Sequence, residues 1–186
     1  MIGESRIKTI VWAVSILAIA ISLFYSFGNR IGSAANPFGP YISIRPIETP
    51  KVSILRSDSS IAGLSDYVKG VNEYSKANYR AAETYFQTAV SVSPNKGDWW
   101  LILGVSQALL RKPDLALTSL QSAEQLSEEP AKSSAKWFES QCYLMQGNLA
   151  EAVKLLDGLA ANGKVYSTES RELLHKLKND FDPSAH

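Results

Sequence analysis

Cysteine is almost missing from this chain. The single thiol, Cys142, excludes an intrachain disulfide and any cysteine-rich zinc site. It lies on an apolar helical stretch and reads as a small core residue, not a nucleophile. Histidine is nearly as scarce. His175 and His186 have no cysteine or paired carboxylates at ligand spacing, so both read as surface residues rather than metal ligands. No glycine-rich phosphate loop is present, since Gly97 and Gly104 stand without the required company. No Ser-His-Asp or Cys-His arrangement can be assembled, and Glu128-Glu129 reads as a solvated charge pair. These absences argue against an enzyme, a cofactor and a small-molecule substrate. Excess charge is missing too: 19 Lys and Arg meet 18 Asp and Glu. Residues 1–60 carry net +3 and residues 61–186 net −2. A slightly acidic body is repelled by phosphate, so no nucleic-acid partner is expected.

What the chain does have begins at its N-terminus. After a short tail, residues 1–8, the 19 residues from Thr9 to Phe27 carry no charge. A helix of that length spans about 28 Å, close to the hydrocarbon thickness. Trp12 and Tyr25 sit near its two ends, where aromatic rings favour the interfaces. Ala18-Ile19-Ala20 has the form of a signal-peptide cleavage site, but the apolar run continues past it. The reading is an uncleaved transmembrane helix over 9–28, contacting the lipid bilayer. Arg6 and Lys8 before it balance Arg30 and Arg45 after it. The N-terminal amine tips the orientation towards a cytoplasmic N-terminus, placing the bulk on the periplasmic side of a bacterial inner membrane.

Residues 29–60 form a Pro/Gly-rich linker through which no helix can run. Two pieces, 41–45 and 51–55, alternate in strand fashion. This is either a semi-extended tether or an arm that docks on a partner or on the chain's own helical domain. Phe38, Ile42, Ile44 and Ile54 are unusually apolar for a solvated tether.

From residue 61 a helical period takes over. Gly70, Ala82, Phe86, Ala89 and Pro94 recur 34 residues on as Gly104, Ala116, Leu120, Ala123 and Glu128. A further 36 residues on they recur as Ser140, Ala152, Leu156 and Leu159. Each unit reads as two helices joined by a tight turn. In the expected packing, the small residues lie where the paired helices cross and the bulky residue fills the space between units. Pro113 suits the first position of a helix, where its missing N–H costs nothing, and Pro94 ends one. A single pair cannot bury its apolar face, so the units must stack. A last amphipathic stretch, Ser167–Asn179, puts Leu173, Leu174 and Leu177 on one face and reads as a cap helix.

At these positions the chain resembles the tetratricopeptide repeat (TPR) family. Tyr67, Gly70, Tyr74, Tyr79, Ala82, Phe86, Ala89 and Pro94 match its signature in the first unit. Trp100, Leu103, Gly104, Ala116 and Ala123 match in the second, and Tyr143, Gly147, Ala152 and Leu156 in the third. Glu128 replaces an expected proline, two residues are added before the third unit, and Leu159 replaces an expected alanine. The resemblance implies an all-α fold. The expected order is a transmembrane helix, then a right-handed TPR-type α-solenoid over 61–180, with repeats at about 63–96, 97–130 and 133–164. The cap helix 167–179 and a tail, 181–186, follow.

The resemblance also implies a concave groove for peptides or partner helices, lined by the first helix of each pair. Its positions fall on Tyr67, Val71 and Tyr74; on Leu101, Val105 and Ala108; and on Trp137, Gln141 and Leu144, with Phe138 and Met145 adjacent. The cation-and-amide clamp by which some relatives grip a chaperone's C-terminal carboxylate is missing. Its positions carry Tyr67, Val71, Ile102, Ser134 and Phe138. The groove is aromatic and aliphatic instead, suited to an apolar helix or strand, with Trp137 and Tyr74 as anchors. The expectation is a non-enzymatic, membrane-anchored scaffold whose partners are other proteins. It would serve as a subunit or an assembly or stability factor of a membrane complex. The alternative is a receptor or co-chaperone for client polypeptides in envelope folding or organelle import.

Overall fold

The computed structural model describes residues 36–49, 61–163 and 165–181. The chain divides into two compact units, Met1–Asn36 and Pro37–His186, and every described helix belongs to the second. The expected transmembrane helix 9–28, with Trp12 and Tyr25, lies outside the described residues. Among those described, no helix is long and apolar enough to cross a membrane.

Seven α-helices succeed one another and no strand occurs among the described residues: α1 Leu64–Ser75, α2 Tyr79–Val92, α3 Gly97–Leu109, α4 Pro113–Leu126, α5 Ala131–Met145, α6 Leu149–Asn162 and α7 Ser167–Phe181. Each packs on the next in sequence, and α3 also meets α5, past the intervening α4. That is the contact pattern of stacked helical hairpins, in which each unit buries what its neighbour exposes. Pro113 opens α4 in its first turn, and Pro94 comes just after the end of α2.

The turns inside the three hairpins are the same turn built from different residues. Ala77, Arg111 and Gly147 all take left-handed backbone conformations, at φ of 59°, 59° and 77°. Each donates its N–H three residues back: Ala77 to Tyr74, Arg111 to Ala108, Gly147 to Leu144. The next residue donates five back: Asn78 to Glu73, Lys112 to Gln107, Asn148 to Tyr143. This double bond is the Schellman closure of a helix end. It satisfies the last carbonyls and turns the chain at the same point in every unit.

The core runs the length of the stack. Ala82, Phe86 and Ala89, then Ala116, Leu120 and Ala123, then Ala152 and Leu156 are all fully buried. The expected division of labour among them needs correcting. A Cβ on Gly70 would come within 2.5 Å of the Phe86 ring, and one on Gly104 within 2.6 Å of Leu120. The bulky residue packs directly onto the small residue of its own unit, a contact the expected packing did not assign to it. A ring or an isobutyl group lying on the partner helix is possible only where that helix presents a bare Cα. In the third unit Ser140 takes the place of the glycine, fully buried, with its hydroxyl turned back to the Trp137 carbonyl at 2.7 Å. Leu159, the departure from the family pattern, is also fully buried. The last helix presents Leu173, Leu174 and Leu177 to the core and runs on to Phe181, two residues past the expected end.

Residues 36–49 are not a free tether. They contain a turn at residues 37–38 and one 3₁₀ turn, Gly39–Tyr41, and residues 42–49 form neither helix nor strand. Phe38 is 7% exposed, and Tyr41, Ile42, Ile44 and Ile47 pack against the helical core. Of the two open readings of the linker, docking on the chain's own helices holds for this stretch. The piece 51–55 lies outside the described residues.

Candidate functional site

The first helices of the hairpins, α1, α3 and α5, together with α7 form the face on which this N-terminal arm is seated. Two of its holds are main-chain. The Ser43 N–H donates to Gln141 Oε1 at 2.8 Å, and the Ile47 N–H donates to the Tyr74 hydroxyl at 2.9 Å. Two groove side chains, on α5 and α1, thus hold two amides four residues apart on the arm. At the arm's other end, Phe38 and Tyr41 meet the Phe181 ring, with centroids 4.9 and 5.6 Å apart. The Tyr41 hydroxyl donates to Asp180.

Beside the arm a cavity of about 1020 Å³ remains. Asp98 and Leu101 of α3, Trp137 and Phe138 of α5, and Glu169, Glu172 and Lys176 of α7 contribute to its walls, with Arg45 and Glu48 of the arm on the opposite side. Trp137 stacks face to face on Tyr166, with centroids 5.0 Å apart and planes 1° from parallel. Tyr166 has a left-handed backbone, φ 63°, and its carbonyl accepts the Ser170 N–H at 2.9 Å. It stands immediately before α7 and projects its ring back onto α5. Burial, then Glu169, raises its phenol pKa against a bond with Ser134.

The expected groove residues separate into three groups. Tyr74 and Gln141 hold the arm. Leu101, Trp137 and Phe138 line the cavity. Tyr67, Val71, Val105 and Leu144 are buried in the core at 2% exposure or less. Tyr67 stacks on Trp99 with centroids 4.7 Å apart and leans on Phe86 at 5.6 Å, so it fills the space between hairpins. Burial pushes the Tyr67 and Tyr74 phenols well above the ordinary range. Trp137 is itself only 7% exposed, a cavity wall more than a protruding anchor. The sequence reading did not include Tyr41, Tyr166 and Phe181 in the site. The apolar residues of the linker were the available signal for the first; nothing local distinguished the other two.

Cys142 is fully buried, and burial, then Glu139, pushes its thiol up to about 12. It is an inert core residue. Among the described residues no group of three His, Cys, Asp or Glu is arranged to hold a metal.

The TPR family model matches residues 67–130 and 110–165, more than half of the chain. The chain belongs to the tetratricopeptide repeat family. No curated protein sequence matches it. Among solved structures, this TPR chain is similar to the Yersinia enterocolitica type III secretion chaperone SycD in complex with a peptide of the translocator YopD. The identity is 24%, the TM-score 0.55, and the match covers 62% of this chain and 92% of that one. An alternative dimer of SycD matches at 22% identity and TM-score 0.56, covering 74% and 99%. A further SycD structure matches at 22% and 0.52, covering 70% and 98%. At these identities the likeness is one of fold.

Proposed function

We propose that this protein is a non-enzymatic TPR binding module that takes an extended segment of a partner protein on the face formed by α1, α3, α5 and α7. The carrying observation is the arm itself. Tyr74 and Gln141 accept main-chain N–H groups, so the face is equipped to hold an extended polypeptide by its backbone, as in other extended-peptide grooves. That a structural neighbour is seen with a peptide supports the same use. In this reading residues 9–28 anchor the module in a bacterial inner membrane with the repeats on the periplasmic side. It acts there as a subunit or assembly factor of a membrane protein complex, because confinement to the bilayer raises its effective concentration towards membrane partners. The second reading, a chaperone for client polypeptides, is favoured by the secretion-chaperone neighbours.

Co-purification from mild detergent separates the two. Partners at fixed stoichiometry support the scaffold, and a heterogeneous set of clients supports the chaperone. Tyr74→Phe removes only the hydroxyl that receives the main-chain N–H. In a chain whose arm is disabled by Phe38→Ser, Tyr41→Ser and Ile44→Ser, so that the hydroxyl serves the partner alone, partner affinity should fall about three- to tenfold, the loss of one neutral hydrogen bond. An unaltered affinity retires Tyr74 as a contact.

A further inference from the structure

We propose that residues 38–48 are an intramolecular competitor, and that the partner segment is an extended stretch of the arm's own chemistry that displaces them. Its pattern is an aromatic residue, alternating β-branched residues and then a basic residue. This rests on the groove reading above and adds what the groove binds and how access to it is controlled.

Four observations carry it. The arm's central hold is two main-chain hydrogen bonds, which any extended segment in the same register could reproduce. Apart from Phe38, which is buried, its side chains are only partly committed: Ile42, Ile44 and Ile47 are half-buried, while Ser43, Arg45, Pro46 and Glu48 are exposed. The seat is imperfect, because Gln141 is fully buried and its Nε2 has no hydrogen-bond partner while Oε1 holds the arm. A displacing segment that offered a carbonyl to Nε2 would satisfy both ends of the amide, which the arm does not. The face is also wider than its occupant. The cavity left beside the arm has Asp98, Glu169 and Glu172 on the helical side against Lys176, with Arg45 of the arm bordering it. That charge balance favours a segment carrying a cation at the place of Arg45. Being covalently attached, the arm competes at a high effective concentration, so only a segment with additional contacts replaces it.

The test uses the full-length chain in mild detergent and a fluorescein-labelled synthetic peptide of residues 36–49, read by fluorescence anisotropy. Phe38→Ser, Tyr41→Ser and Ile44→Ser together disable the arm and leave every helical groove residue intact. This variant should bind the peptide at least tenfold more tightly than the wild-type chain. Adding Tyr74→Phe and Gln141→Met should reverse the gain. Tyr41→Phe alone, which removes only the tie to Asp180, should give a smaller gain and guards against misfolding of the triple variant. The proposal is overturned if the folded triple variant and Tyr41→Phe bind the peptide no better than wild type. It is also overturned if the triple variant loses cooperative unfolding, which makes the arm a core element. A wild-type dimer by light scattering that dissociates when the arm is disabled assigns the groove to a second copy, and overturns it as well. If the triple variant binds no peptide but keeps the partners that co-purify with wild type, only the competition is lost. If it binds neither, the groove reading falls too.

Discussion

A glycine inside a helix is informative through what its missing Cβ would touch. Gly104 has Leu120 Cγ within 2.6 Å of that position, whereas Gly158, in the middle of α6, has nothing within 4 Å. Gly104→Ala should destabilise the protein by about 1–3 kcal/mol through overpacking. Gly158→Ala should stabilise it by about 0.5–1 kcal/mol, because only the entropy of glycine is removed. Thermal melts of the two variants should move in opposite directions. Ser106, two residues further along α3, is not a neutral site to set beside Gly104. It is fully buried, its hydroxyl bonded to the Ile102 carbonyl at 2.7 Å. Glu139 gives a pH signature at the same scale. It is 3% exposed with Oε1 unpartnered. Burial and then Glu124 raise its pKa from 4.5 to about 7, with Lys136 opposing. A carboxyl whose folded pKa is raised favours the folded state while protonated. Its contribution is complete below about 4.5 and lost as pH rises towards 7. Glu139→Gln should therefore raise the melting temperature at pH 8 and give no gain at pH 4. An equal gain at both values removes ionisation as the cause.

The hairpin is the unit that sequence spacing exposed most fully. The recurrence of Gly70, Ala82 and Phe86 at 104, 116 and 120 arises from a contact that must repeat if identical hairpins stack. Only a small residue opposite a bulky one produces it, so the spacing survives in the sequence. The turn that closes each hairpin was less legible, because Ala77 and Arg111 occupy a left-handed position that glycine fills only at 147. The two Schellman bonds hold the chain there against the side chain's preference. Ala77→Gly and Arg111→Gly should each stabilise by about 0.5 kcal/mol. Relief of about 1 kcal/mol of left-handed strain is partly offset by added freedom in the unfolded chain. Gly147→Ala should destabilise by about 1 kcal/mol, although no atom stands within 4 Å of its added Cβ. Chemical denaturation of the three variants checks this. The site was half legible for a different reason. Period identifies the face of α5 that carries Gln141 and Trp137. It carries no information on which distant segment covers that face, and Phe38 meets Phe181 from the opposite end of the helical unit's sequence.

At the scale of the molecule, the unit Pro37–His186 contains the repeats, the cap and the arm's seat. Removing residues 1–35 should leave a helical protein that unfolds cooperatively by far-ultraviolet circular dichroism. With the proposed anchor gone, it should also leave the membrane pellet on a carbonate wash. Retention in the pellet counts against a single anchor at 9–28. Within this unit the arm's aromatic end is fastened to the final turn of the final helix, with Tyr41 and Asp180 139 positions apart along the chain. That fastening has a consequence for biosynthesis. The arm leaves the ribosome before all the helices it touches, and the end of α7 that secures it follows 139 residues later. At about 5–20 residues per second the interval is roughly seven to thirty seconds. Throughout it, Tyr74 and later Gln141 are already translated while the arm lacks its clasp. The nascent chain therefore passes through a period of open receptivity that closes when α7 packs against the arm, and any segment that reaches the face during synthesis meets it before its own arm is secured there.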